Sequence, residues 1–277
     1  MTTATKIKKG LLYLALILLA LTCLLPFLMM IVNATRNGNE IMTSFTLIPG
    51  HNIKENWETV SNYFNIFKGI LNSVIVAVPA TLLTAYFSAM TAFALAIYKF
   101  KGKNILFGVI LVFMMIPAQL GMLGFYDLVS FMGLINSYIP LIIPAVASPG
   151  IVFFLKQYVE SVLPPALLEA ARIDGASELY IFHKIVLPIM APGIATMSIG
   201  AFIGNWNSYL IPMLLLTKTE KYTLPVLIAT LNSSTDIVAN QGATYLAVAI
   251  SVVPILIVFC FCSKYIISSI SAGSVKE

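Results

Sequence analysis

The sequence predicts an all-α, polytopic membrane protein with six transmembrane helices. Three observations carry that prediction. Hydrophobic residues make up 59% of the 277 residues and charged residues 10%, against about 25% charged in an ordinary soluble domain. So few charges do not cover the surface of a water-soluble molecule of this size. Six windows free of charged residues are each long enough to cross a bilayer, which takes about 20 residues at about 1.5 Å rise. The basic residues behind the net charge of +5 lie between those windows, where they anchor helix ends at a membrane surface and form no nucleic-acid patch.

The windows run Gly10–Thr35, Gly69–Tyr98, Asn104–Tyr126, Leu128–Leu155, Ile185–Thr217 and Ile237–Ser263. Hydrocarbon offers no water to backbone N–H and C=O groups, so each window is helical. The first follows Lys6, Lys8 and Lys9. It exceeds the roughly 7–15 apolar residues of a signal peptide and reads as a retained span. Asp127 alone separates the third and fourth windows, and the turn-forming stretch from Gly133 to Ser137 places a tight hairpin there. With the N-terminus inside, 11 of the 16 basic residues fall on the cytoplasmic side, and this bias puts both termini in the cytoplasm. Cys23, Cys260 and Cys262 sit in apolar runs and read as small buried hydrophobes.

This divides the chain into an N-terminal helix with its external loop (1–68), a membrane core (69–270) and a C-terminal cytoplasmic tail (271–277). The external loop Arg36–Lys68 is polar with interspersed aromatics, among them Trp57, Tyr63 and Phe64. The internal loop Lys156–Lys184 carries more information. Pro164 and Pro165 end one helix and start another, because proline fits a first helical turn. Ala166 to Asp174 are mostly good helix formers. Gly175 stands where a helix ends in a left-handed residue. Ser177 caps a second short helix running toward Val186, and Pro188 opens the fifth span. The expectation is two short helices at 164–186 lying on the inner membrane face. Ala170 and Ala171 leave room for another protein's surface, and Glu169, Arg172 and Asp174 offer it charges.

The string Glu169-Ala-Ala-Arg-Ile-Asp-Gly-Ala-Ser, with Phe182, Ile185, Leu187-Pro188 and Pro192 after it, resembles the "EAA" loop of binding-protein-dependent ABC importer permeases, in the carbohydrate-uptake branch. Asn72-Ser73 at the second window, Trp206-Asn207 in the fifth, and the tail Ser271–Lys276 resemble the same family in the same order. The resemblance implies the MetI-like fold of type I ABC importers. It implies that Glu169, Ala170, Ala171, Arg172, Asp174 and Gly175 belong to a coupling helix docked on a cytoplasmic ATPase subunit. It also implies that the tail, Gly273, Ser274, Val275 and Lys276, touches the ATPases. The chain has no phosphate loop, and the resemblance implies that two copies of a separate ATPase subunit bind the ATP and Mg. A second, non-identical permease completes a heterodimer, and an extracellular sugar-binding protein delivers the substrate.

The polar residues within windows are Asn72, Gln119, Asn205, Trp206, Asn207 and Tyr209. Polar groups in lipid face protein or water. For Asn205, Trp206 and Tyr209 a sugar path and interhelical bonding weigh about equally, and the spacing of Asn205 and Tyr209 puts both on one helix face. For the other three, interhelical bonding is the stronger reading. Prolines 79, 117, 140, 144, 149 and 254 read as kinks or hinges. An enzyme is disfavoured: the two histidines, His51 and His183, fall on opposite sides, and no metalloprotease or nucleophile-elbow motif is present. No metal site is expected. A lone secondary transporter is disfavoured because no window holds a charge for ion coupling. A permease for another solute remains the main alternative to sugar.

Overall fold

The computed structural model describes residues 3–233 and 240–274. Among them the architecture is all-helical, and its elements follow in chain order. Helix α1 (Thr3–Asn33) carries the first window. Two helices follow between the first and second spans, α2 (Gly38–Thr43), capped by the Asn37 side chain, and α3 (Ile53–Tyr63). Helix α4 (Ile66–Ile97) is the second span, unbroken over 32 residues despite Pro79.

The third window departs from expectation. Helix α5 (Lys103–Met115) stops before Pro117, and after a 3-10 turn α6 (Met122–Phe131) sets off at 87° to it. Pro117 restricts the residue before it to extended backbone, and Ile116 is extended. The turn expected at 133–137 is present, with Gly133 and Asn136 both left-handed. The fourth span is also displaced. It runs through α7 (Ile139–Ile142), a 3-10 turn and α8 (Pro149–Val162), beyond the window's end at Leu155. Counting charge-free residues missed this because Lys156 is accommodated within the helix. Its ammonium pairs with Glu160 at 2.7 Å, one turn on, and lies 4.7 Å from the Phe107 ring centroid.

Helix α9 (Pro165–Ile173) occupies the internal loop. Then α10 (Glu178–Ile181), a π-helical turn over Phe182–Val186 and α11 (Leu187–Trp206) form one continuous helix. The expected boundary at Pro188 is therefore absent. Proline lacks an N–H and clashes with the carbonyl four residues back, and a widened turn relieves both. The helix ends at Trp206, and α12 (Leu210–Leu215) restarts after Tyr209. Pro212 has no N–H with which to close a turn on Ser208. Helices α13 (Leu224–Asn232) and α14 (Gln241–Ser274) complete the chain. Among the described residues five helices are long and apolar enough to cross a membrane, or six if the bent pair α5–α6 is one span.

The chain divides into two units. One takes the described residues of Met1–Lys68 and Leu227–Val253, the other those of Gly69–Val226 and Pro254–Glu277. The first is organised by Arg36, which is 4% exposed. Its guanidinium donates to the Glu40 and Ser44 carbonyls at 2.7 and 3.0 Å, to Ser44 Oγ at 2.6 Å and to Asn33 Oδ1 at 3.2 Å. Asn56 Nδ2 donates to the Ala34 and Arg36 carbonyls. Gly242 packs so closely that a Cβ there would lie 2.1 Å from the Arg36 carbonyl oxygen.

The second unit holds a buried apolar cluster made by Ala89, Ala92 and Phe93 of α4, Leu155 and Val159 of α8, Leu168 and Ala171 of α9, and Ile181, Phe182, Val186 and Met190 of the helix that follows. The internal loop is thus seated on three spans. At the other end of α4, Asn72 donates to the carbonyls of Glu220 and Tyr222 at 3.0 and 2.9 Å, and Ser73 Oγ accepts from the Leu224 N–H at 2.8 Å. Asn136 binds the same connection, accepting from Thr217 and Lys218, while Lys221 Nζ donates to its carbonyl.

Candidate functional site

The loop Lys156–Lys184 forms the first candidate site. Helix α8 ends at Val162, and Pro164 and Pro165 turn the chain into α9 as the sequence indicates. At the far end the Gly175 N–H donates to the Arg172 carbonyl and the Ala176 N–H to the Ala171 carbonyl, at 3.1 and 3.0 Å. This is a Schellman termination. It requires a left-handed residue, and Gly175 has φ +78°. Ser177 then caps α10, its Oγ accepting from the Tyr180 N–H at 3.3 Å.

Helix α9 divides its residues between two faces. Leu168 and Ala171 enter the buried cluster. Glu169, Ala170, Arg172, Asp174 and Gly175 are exposed, and Ile173 is 86% exposed. The two alanines, paired as open surface in the sequence reading, part company here. Consecutive helical residues lie 100° apart, so Ala171 fills the chain's own core while Ala170 faces out. The outward face combines an apolar side chain, a small residue and two carboxylates, a surface suited to a complementary protein.

Arg172 also binds within the chain, its guanidinium Nε and Nη2 donating to the Glu178 carboxylate at 2.8 and 3.3 Å. That acceptor raises the arginine's pKa further above its ordinary value. The Tyr98 hydroxyl, just past the end of α4, donates a short hydrogen bond to the same carboxylate, and the Tyr98 ring lies 5.9 Å from the guanidinium. About three turns back along α4, Tyr86 meets the Nε2 of His183 at 3.1 Å, while His183 Nδ1 meets the Leu179 carbonyl at 2.8 Å. Sequence reasoning did not find Tyr98, Glu178 or Tyr86. The contacts from α4 cross 80 and 97 residues. The only local signal was an acid six residues after a base, on the far side of a turn.

The second candidate is the end of α11. Asn205 Nδ2 donates to Thr81 Oγ1 at 3.3 Å, and with Ser208 it lines a cavity of about 350 Å³ whose other walls include Val76, Met122, Phe125 and Pro140. Trp206 is 1% exposed and stacked on Phe202, centroids 5.7 Å apart. Tyr209 lies beyond the helix end, at the start of α12. Asn205 and Tyr209 therefore do not share a helix face, because the break at Asn207–Tyr209 interrupts the helical repeat. The buried, stacked Trp206 and the bonded Asn205 fit the interhelical role. Asn72, by its bonds to the 220–222 carbonyls, does so fully. In the tail, Gly273 and Ser274 form the last residues of α14. Val275 and Lys276 lie outside the described residues.

Residues 82–271 match the family model described as "Binding-protein-dependent transport system inner membrane component". The chain is 36% identical to the arabinooligosaccharides transport system permease protein AraQ of Halalkalibacterium halodurans over 93% of each chain. It is 34% identical to the diacetylchitobiose uptake system permease protein NgcG of Streptomyces coelicolor, over 94% of this chain and 87% of that one. Its fold matches a chain in the crystal structure of a bacterial ABC transporter involved in the import of the acidic polysaccharide alginate, with TM-score 0.80 at 21% identity, covering 96% of this chain and 99% of the other.

Proposed function

Because this chain belongs to the family of binding-protein-dependent transport system inner membrane components, we propose that it is one of two non-identical permeases enclosing the path of an oligosaccharide through an ATP-driven importer. It is a multi-pass membrane permease of a carbohydrate ABC importer, not an enzyme. The substrates named for the relatives, arabinooligosaccharides and diacetylchitobiose, are short sugar chains and support an oligosaccharide here. The basic-residue bias supports cytoplasmic termini and a place in the bacterial inner membrane.

The observation that carries the mechanism is the two-faced α9. Its inner face is fixed in a core shared with α4 and α8. Its outer face presents Glu169, Ala170 and Ile173. In this reading that face docks on a cytoplasmic ATPase subunit, two copies of which hydrolyse ATP. Closure of the pair pushes α9, and the shared core moves the spans. An extracellular binding protein presents the sugar, and the tail from Gly273 to Lys276 adds a second ATPase contact.

The test is co-purification of the tagged chain from its native membrane, with and without Glu169→Lys. A second permease and an ATPase subunit are expected with the unaltered chain. With the substitution, the ATPase is lost or its activity no longer responds to sugar and binding protein. A chain that purifies alone and moves solute without ATP overturns the reading. A complex that imports a non-sugar solute overturns the substrate assignment alone.

A further inference from the structure

We infer that Tyr98, Arg172 and Glu178 form a clamp that makes α9 and the cytoplasmic end of α4 one mechanical body, so that movement of the coupling helix is delivered to the second span as well as to its own two neighbours. The inference rests on the proposed coupling role of α9.

Chain connectivity joins α9 only to α8, through Leu163 and Pro164, and to α10, through the turn at Gly175. Neither link reaches α4, which lies earlier in the chain. The apolar cluster does reach it, but such contacts are non-directional and specify no particular partner atom. The clamp supplies direction. Arg172 offers a planar fork to one carboxylate from Nε and Nη2, a geometry lysine lacks. The same carboxylate accepts from the Tyr98 hydroxyl. Glu178 is thereby fixed from both sides, by the last full turn of α9 and by the end of α4. Tyr98 is oriented in turn by Phe93, whose ring centroid is 5.4 Å away and which itself packs on Phe182 at 5.8 Å.

Stability does not account for this arrangement. Arg172 and Glu178 are both exposed, and an exposed ion pair contributes little to folding. What the pair fixes is position. From Tyr98 the path continues along α4, unbroken, for roughly 39 Å at the helical rise to Asn72 and Ser73, which hold the 220–224 connection. A displacement entering at α9 therefore has a continuous helix to carry it to the far end of that span. Tyr98, Arg172 and Glu178 are positioning residues.

The experiment uses the whole complex reconstituted in liposomes with its binding protein and sugar. The readout is ATP hydrolysed per sugar imported. Arg172→Glu and Glu178→Arg should each raise the ratio about fivefold, the lower end of ordinary coupling energies, with the ATPase still bound. The double exchange Arg172→Glu/Glu178→Arg should return it to within about twofold of the original, since the tyrosine hydroxyl can accept as well as donate. Tyr98→Phe, which preserves ring packing, should raise the ratio by a smaller factor. An unchanged ratio in the single variants overturns the clamp, and so does a double exchange as uncoupled as either single. Loss of the ATPase from the single variants also overturns it, by making these residues docking contacts. Glu169→Lys in the same assay separates the two ideas: if it too leaves assembly and ratio unchanged, the coupling role of α9 itself fails.

Discussion

The chain contains two arginines, and they do opposite things. Arg36 is buried, its guanidinium spread over two carbonyls, a hydroxyl and an amide oxygen within a short segment of sequence. Arg172 is exposed, and its hydrogen bonds go to one carboxylate that is also held by a residue from a distant helix. A buried guanidinium that binds several acceptors at once, with the Glu40 carboxylate 4.0 Å from its Nε, is a permanent part of the fold, since removing it breaks all of those bonds together. An exposed guanidinium on a single carboxylate costs little to break and little to remake. The difference teaches that the same side chain serves as a structural hub or as a removable linkage according to its burial and the number of its acceptors.

Substitutions break or sharpen that contrast. The largest effect on stability is expected from Arg36→Ala, which should lower unfolding free energy by about 3 kcal/mol, because a buried guanidinium is lost together with its bonds to the Ser44 carbonyl and the buried Asn33 amide oxygen. Thermal unfolding of the purified protein in detergent measures this, and a loss near zero would erase the distinction. Gly175→Ala comes next, at about 1–2 kcal/mol, the cost of placing an L side chain in the left-handed region. No neighbour lies within 4 Å of a Cβ built there, so the effect is purely conformational. Arg172→Ala should be the smallest, under about 1 kcal/mol. A loss as large as that for Arg36→Ala would show that Arg172 holds the fold together and does not merely position one part of it.

What the sequence revealed followed the same division between local and distant. The two prolines, Gly175 and Ser177 each act within a few residues, and each was read correctly in its role at α9 and α10. The second span was also plain, because Ile66–Ile97 is one apolar run. The fourth was misplaced because Lys156 reads as a boundary until its partners Glu160 and Phe107 are known. Arg36 counted as an external surface charge, for nothing adjacent in sequence announces that carbonyls of the next two turns wrap around it. Glu178 was passed over because its meaning depends on Tyr98, 80 residues earlier. At the end of α11 the helical repeat was extended through Asn207 and Ser208 as if Pro212 were not waiting beyond them.

The π-helical turn at Phe182–Val186 has a consequence for phase. A wide turn takes up one residue more than an ordinary one, and one residue is about 100° of rotation about the axis. Everything after it on α11 is dialled around by that amount relative to the cap at Ser177. With this offset present, Met190 meets the cluster and Trp206 is buried. Deleting a single residue between 182 and 186 would leave the composition of the span almost untouched while turning its buried side outward. Length changes in this short stretch are thus far less tolerable than most substitutions within it.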